Sequence, residues 1–216
     1  MSRATAPGAG ARRLAEIAGA AAECERCELY RDATQTVFGE GPVPADMMLV
    51  GEQPGDQEDK QGAPFVGPAG RILDDALEVA GIDRGAVYVT NAVKHFKWEA
   101  RGKRRIHKRP NATEIEACGL WLGEEIAHVR PSVIVAMGAT AVRAVLGGTR
   151  AIASLRGEVL ASTFGLPMVA TVHPSVIVRV PDRDDRRAAL EGLAADLRLA
   201  REAAAPPTEA RRRRPA

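Results

Sequence analysis

The sequence predicts an α/β protein built on a parallel sheet with helices on both faces. Three observations predict it. Apolar runs of strand length alternate with longer segments at helical spacing. The runs are continuous rather than alternating, as strands buried on both faces require. With 216 residues, the chain suits one domain that buries a sizeable core without disulfide staples.

The elements follow in order. Residues 1–11 are rich in Ala, Gly and Pro and are expected to be disordered. Residues 12–23 read as a short helix. Residues 45–50 end in an apolar run and form a strand that meets Gly51-Glu-Gln-Pro-Gly55. Residues 68–80 carry Ile72, Leu73 and Leu77 near helical spacing and stop at Gly81. A second strand spans 87–90. A helix over 113–129 opens with a capping box, Thr113 with Glu116. A third strand (132–136), a helix (139–146) and a fourth strand (168–172) follow, the last running into His173-Pro174. A closing helix spans 182–204. Residues 12–204 thus form a single domain, and the Arg-rich tail 205–216 is expected to be disordered.

Composition narrows the class. Apolar residues at 45% and charged residues at 27% exclude whole-chain disorder and fibrous folds. No apolar run approaches the roughly 18 residues of a membrane helix, and no apolar signal core follows the basic start. A soluble cytoplasmic protein is expected. Three cysteines are too few for a disulfide scaffold. Between Lys94 and Arg109 stand eight Lys or Arg and one acid, Glu99, beside an otherwise acidic body. A local cationic patch of this kind suggests a polyanion partner, with a solvated loop as the alternative.

In a parallel sheet the ligand site lies beyond the carboxyl ends of the strands. Three chemically unusual segments fall there: 51–65, 91–109 and His173-Pro174. The first packs Glu52, Asp56, Glu58 and Asp59 into a turn whose glycines allow close approach to a ligand. It is neither a P-loop nor a dinucleotide fingerprint. Cys24-x-x-Cys27, with Cys118 and His95, can complete a tetrahedral zinc site or hold an iron–sulfur cluster. Unrelated buried thiols are the alternative. In Lys103-Arg-Arg-Ile-His107 the cations push the histidine pKa down and keep it neutral and nucleophilic. Phosphate contact by the arginines beside a bystander histidine is the other reading. His173, at a strand end, can donate to a carbonyl that gains negative charge, or it can be structural.

Taken in order, Cys24-x-x-Cys27, GEQPGDQED (51–59), PFVGPAG (64–70), TNAVKHFK (90–97), Cys118 and HPS (173–175) resemble the iron–sulfur branch of the uracil-DNA glycosylase superfamily. The basic insert KRRIH (103–107) and His95 in place of a fourth cysteine resemble its UdgX subfamily, which excises uracil from DNA and stays covalently attached to the abasic sugar. The resemblance implies a three-layer α/β/α fold around a four-stranded parallel sheet. It implies a [4Fe–4S] cluster on Cys24, Cys27, His95 and Cys118. It implies action on uracil-containing DNA; single strands are the expected substrate, and a monomer is the default for an enzyme that clasps one nucleotide.

On that resemblance Phe65 stacks on the extruded uracil and Asn91 reads its Watson–Crick edge. Gly51 and Ser175 line the substrate site. Backbone amides around Gln53 and the His173 side chain stabilise charge on the leaving base. His107 captures the sugar, and Glu52 orients or deprotonates it. Asp56 and Asp59 assist electrostatically, and Arg105 supports the loop against phosphate. The competing readings are a turnover glycosylase, a non-catalytic DNA-binding module with a structural zinc, and a thiol oxidoreductase with Cys24 and Cys27 free.

Overall fold

A computed structural model describes residues 8–204. The expected tail lies outside the described residues, as do positions 1–7. Residues 9–11 do not match the expected disorder, because helix α1 runs Ala9–Ala22. Its Leu14, Ile17 and Ala21 are buried, so the Ala- and Gly-rich start forms the first turn of an amphipathic helix.

The remaining elements are β1 (Met47–Gly51), α2 (Asp56–Gln61), α3 (Pro68–Ala80), β2 (Val87–Asn91), β3 (Trp98–Arg101), β4 (Arg104–His107), α4 (Ala112–Val129), β5 (Val133–Met137), α5 (Ala139–Leu146), β6 (Val159–Ala161), β7 (Pro167–Thr171), α6 (Pro174–Val178) and α7 (Arg183–Ala204). The main sheet has the order β2-β1-β5-β7-β6. Its first four strands pair in parallel, as expected. β6 adds an antiparallel edge to β7 that the sequence does not announce. Three residues, two of them exposed, leave no apolar run to read.

Every residue of β1, β2 and β5 is buried. Successive side chains divide between two cores. Met47 and Leu49 join Val135, Leu73 and Leu77 of α3, and Leu193 and Leu197 of α7. Met48 and Val50 join Ile134, Leu14 of α1, Leu122 of α4 and Val142 of α5. The period of two along each strand produces these two helical layers.

Two helix starts differ from expectation. The acids of 56–59 sit in the first turn of α2 rather than in a loop, where they complement the helix dipole. The α4 cap is Asn111 rather than Thr113: Asn111 Oδ1 accepts the Glu114 N–H, and Glu114 accepts the Asn111 N–H. Both frames fit the capping-box pattern. Asn is the better cap, and Glu114 is further held by Lys97 at 2.8 Å.

One polar cluster lies inside the sheet layer. Lys94 is buried and pairs with Glu125, which also accepts from Tyr88, Thr90 and the Gly39 N–H. Lys94 also donates to the Asn91 carbonyl. Glu125→Ala would strand the ammonium without a counter-charge. Denaturant unfolding should show a loss of about 3–5 kcal/mol.

Candidate active site

The chain runs from β1 outward to β2 and then returns to the other side of β1 as β5. The connections diverge between the carboxyl ends of β1 and β5, which is where open α/β sheets form their crevices. A cavity of about 720 Å³ opens there. Glu52 and Gln53 follow β1, Asn91 ends β2, Gly138 follows β5, and His173 follows β7.

Phe65 and Asn91 meet over Gly51. A Cβ on Gly51 would lie 2.6 Å from Phe65 Cζ and would collide with Asn91 Oδ1. Gly51 is therefore the spacer that lets a ring and an amide enter one cavity. Phe65 holds φ at 57°, a left-handed conformation that costs a non-glycine residue about 1–3 kcal/mol. Its carbonyl occupies the space where a Gly70 side chain would stand. The Phe65 ring stacks near His173, with centroids 6.1 Å apart.

His173 caps α6 by accepting the Ser175 N–H at Nδ1. That acceptor role puts the ring proton on Nε2. Nε2 is buried without a partner in a ring that lines the cavity, so its N–H is an unspent donor. Burial lowers the His173 pKa to about 4, helped by His107 and Arg179. Ser175 thus acts on the site through the tautomer of His173.

His107 ends β4, with Nε2 3.3 Å from Glu52 Oε1. Glu52 Oε2 accepts the Thr140 hydroxyl, 2.5 Å away. Burial lowers the His107 pKa; Glu52 opposes this, while Arg179 and Arg109 reinforce it. The imidazole is therefore neutral at pH 7 although it faces a carboxylate.

The β3–β4 hairpin that carries His107 is tied down at three levels. The Gln53 amide donates to the Lys97 and Lys108 carbonyls and accepts the Lys97 N–H. Arg105 donates to Asp56 and to Asp59, at 2.6 Å each. Its guanidinium lies over the Phe96 and Trp98 rings. Asp56, Asp59 and Arg105 do not line the cavity. The structure places them as a hairpin clamp outside the cavity wall.

The cationic segment is correspondingly smaller than its sequence suggests. Lys94 is buried, Lys97 pairs with Glu114, Lys108 pairs with Glu99, and Arg105 is clamped. Arg101, Lys103 and Arg104 remain exposed at the hairpin turn, with Arg109 near its base.

The cysteines lie apart from this cavity and are all free thiols. Cys27 and Cys118 are neighbours, and their interaction lowers the Cys27 pKa to about 6 and raises that of Cys118. Cys24 accepts the Trp121 indole N–H at 3.1 Å. Cys24 and His95 share a second cavity of about 220 Å³. Among the described residues no three His, Cys, Asp or Glu side chains surround one ion-sized point, so nothing supports a single structural zinc. A four-iron cluster makes a different demand, one donor for each iron. The donor set fits it: three cysteines and a buried imidazole nitrogen, His95 Nδ1, that has no partner.

Thr140 and Arg179 join the site without a sequence signal of their own, and Glu58, one of the acids of the 51–59 turn, takes a bracing part in it. Glu58 accepts the Gly55 and Gly67 N–H groups and staples two cavity loops together. Thr140 reaches Glu52 across 88 positions. Such partnerships exist only once the strand ends have met.

Fold and cavity define an α/β protein with a ring, an amide and two neutral histidines converging at the carboxyl ends of a parallel sheet. The family model of the uracil DNA glycosylase superfamily matches residues 38–198, and the chain belongs to that superfamily. It is 37% identical over 172 residues to the type-4 uracil-DNA glycosylase of Thermotoga maritima, covering 79% of this chain and 86% of that one. It is 34% identical over 165 residues to the type-4 uracil-DNA glycosylase of Pyrobaculum aerophilum, covering 73% and 81%. A type-5 uracil-DNA glycosylase of P. aerophilum is 40% identical over 105 residues, covering 47% and 40%. No helix among the described residues is long and apolar enough to cross a membrane.

The His173 environment predicts an acid-side loss of stability. As pH falls from 6.5, the unfolded chain protonates this histidine and the folded protein does not until about pH 4. Stability should drop by about 3 kcal/mol over that window on account of His173. Urea titrations of wild type and His173→Asn should show the variant losing that much less.

Proposed function

We propose that the protein excises uracil from DNA and retains the abasic strand through a covalent bond between His107 and the sugar. One observation carries the reading: His107 Nε2 lies 3.3 Å from Glu52 on the cavity that also holds Phe65, Asn91 and His173. Superfamily membership and the type-4 relatives support the excision half.

A base inside a duplex is out of reach, so the nucleotide is flipped out or taken from a single strand, and the single strand costs less. The hairpin cations Arg101, Lys103 and Arg104 meet phosphates, which makes binding salt-dependent. Uracil enters the cavity against Phe65, and the Asn91 amide pairs with its Watson–Crick edge. As the glycosidic bond lengthens, its electron pair leaves with the base and the sugar gains oxocarbenium character. The His173 Nε2–H and the amides around Gln53 stabilise the anion.

His107 then donates the lone pair of a ring nitrogen to the sugar carbon, and Glu52 takes the proton from the other nitrogen. The product is a neutral alkylimidazole. Release of the imidazole needs that proton back on the ring; once Glu52 has passed it to solvent, the neutral alkylimidazole is a poor leaving group, and the enzyme turns over once. Asp56, Asp59 and Arg105 act by holding the hairpin.

Cys24, Cys27, His95 and Cys118 would hold a [4Fe–4S] cluster, which when bound cross-links three segments and is assigned no redox step. The protein acts as a monomer in the reducing cytoplasm.

A denaturing gel with a uracil-containing single-stranded oligonucleotide tests the proposal. Wild type should give an SDS-stable shifted band absent from thymine and cytosine controls. His107→Ala should give no band and should release abasic DNA if water reaches the sugar. An adduct as abundant in His107→Ala as in wild type would refute the assignment. Free abasic product from wild type without the band would leave a turnover glycosylase.

The lowered His107 pKa sets the pH response. The neutral form is the nucleophile, so adduct yield should stay level from pH 8 to 6.5. It should decline only at lower pH, as His107 protonates; a single-turnover time course at each pH would measure this.

A further inference from the structure

His95 is 4% exposed, and its two ring nitrogens have different surroundings. Nε2 lies 2.8 Å from the Thr36 hydroxyl. That hydroxyl donates its one proton to the Ala21 carbonyl at 3.0 Å. A carbonyl has no proton to give, so the Thr36 oxygen faces His95 as an acceptor only. With the hydroxyl proton on the Ala21 carbonyl, the 2.8 Å contact puts the ring proton on Nε2 and the lone pair on Nδ1. Nδ1 is buried without a partner, and its ring shares a cavity with Cys24. An imidazole lone pair with no hydrogen bond inside a protein is costly to keep, which a ligand bond would offset.

We infer that Thr36 is a positioning residue which fixes the His95 tautomer and so assigns Nδ1 as the atom that binds iron. The inference rests on the cluster proposed above and adds the atom and the device that presents it. The cysteines bind as thiolates after losing protons, whereas Nδ1 gives an existing lone pair and releases none. Thr36 has no contact with the active-site cavity, so its effect is on the cluster and not on the chemistry at His107. A hydrogen-bond partner on the remote nitrogen is how metal-binding histidines are generally oriented. Here the chain Ala21–Thr36–His95 runs from the end of α1 to the segment after β2, so it also joins those two elements.

Resonance Raman spectra of the full-length iron-loaded protein test the assignment without any variant. Histidine labelled with 15N at δ1 alone should shift an iron–nitrogen mode, and histidine labelled at ε2 alone should shift it far less. The reverse pattern would overturn the inference. A protein with iron and sulfide but no histidine-sensitive mode would overturn it and leave a cluster without His95. Wild type lacking iron, sulfide and visible absorption after anaerobic reconstitution would sink the cluster reading itself.

Variants probe the role of Thr36. Thr36→Val keeps the shape and removes the acceptor, and Thr36→Ser restores it. Thr36→Val should bleach in excess chelator about 10- to 100-fold faster than wild type, and Thr36→Ser at close to the wild-type rate. Equal bleaching of Thr36→Val and wild type, with the δ1-sensitive mode unchanged, would show that Thr36 does not present the ligand atom.

Discussion

Every residue of β1, β2 and β5 is buried, because helices cover both faces of the sheet. Polar side chains in the body of these strands would need partners of their own, and Thr90 has them only because the Lys94–Glu125 pair lies beside it. Other polar chemistry is displaced to the carboxyl ends, where the backbone leaves the sheet. Gly51 and Asn91 are paired neighbours across β1 and β2, so the last rung of the ladder is already part of the site. The lack of a side chain on Gly51 admits Asn91 and Phe65. The Lys94 ammonium bonds the Asn91 carbonyl from below. A buried ion pair is weak evidence for stability by itself, but here it fixes the backbone of a cavity residue.

The hairpin obeys a different constraint. β3 and β4 pair only with each other and carry mostly exposed residues, and an isolated two-stranded hairpin is marginal in water. Its position therefore depends on what holds its base. The Gln53 amide does so on one side, and the Asp56–Arg105–Asp59 clamp on the other. Asp59 is fully buried, and its other bonds reach the Thr34 N–H. The guanidinium of Arg105 is thus fixed to the body of the protein while its strand neighbour Arg104 faces solvent. Two adjacent arginines have opposite roles because successive strand residues point to opposite faces.

The same contrast explains what was legible in the sequence. Strands buried on both faces leave continuous apolar runs, so four of five sheet strands could be read directly. β6 could not, being three residues long at an exposed edge. The motifs around Glu52, Asn91 and His173 were placed at strand ends by alternation alone, and they do line one cavity. Pairwise roles were not legible. Lys94 looked like one more surface cation, although Glu125, 31 positions on, makes it a core residue. Asp56 and Asp59 read as electrostatic assistants of the site, although Arg105 engages both. Charge in a sequence window states only a residue's own sign, and the fold decides whether that sign meets water or a partner.

Two histidines on one cavity show how far this placement can go. His107 and His173 each lower the other's tendency to protonate if either takes a charge, and Arg179 disfavours the cation on both. Burial acts in the same direction. Glu52, beside His107 alone, opposes it, so the two rings are not equivalent. His173 has its proton fixed on Nε2 by the Ser175 N–H, whereas His107 meets an acceptor that can take a proton. The proposed reaction needs one neutral ring that donates a hydrogen bond and another that gives up a lone pair. Desolvation and the nearby Arg179 supply the neutrality of both, although the His107 side chain stays 43% exposed. The local partner, an amide in one case and a carboxylate in the other, divides the roles between them.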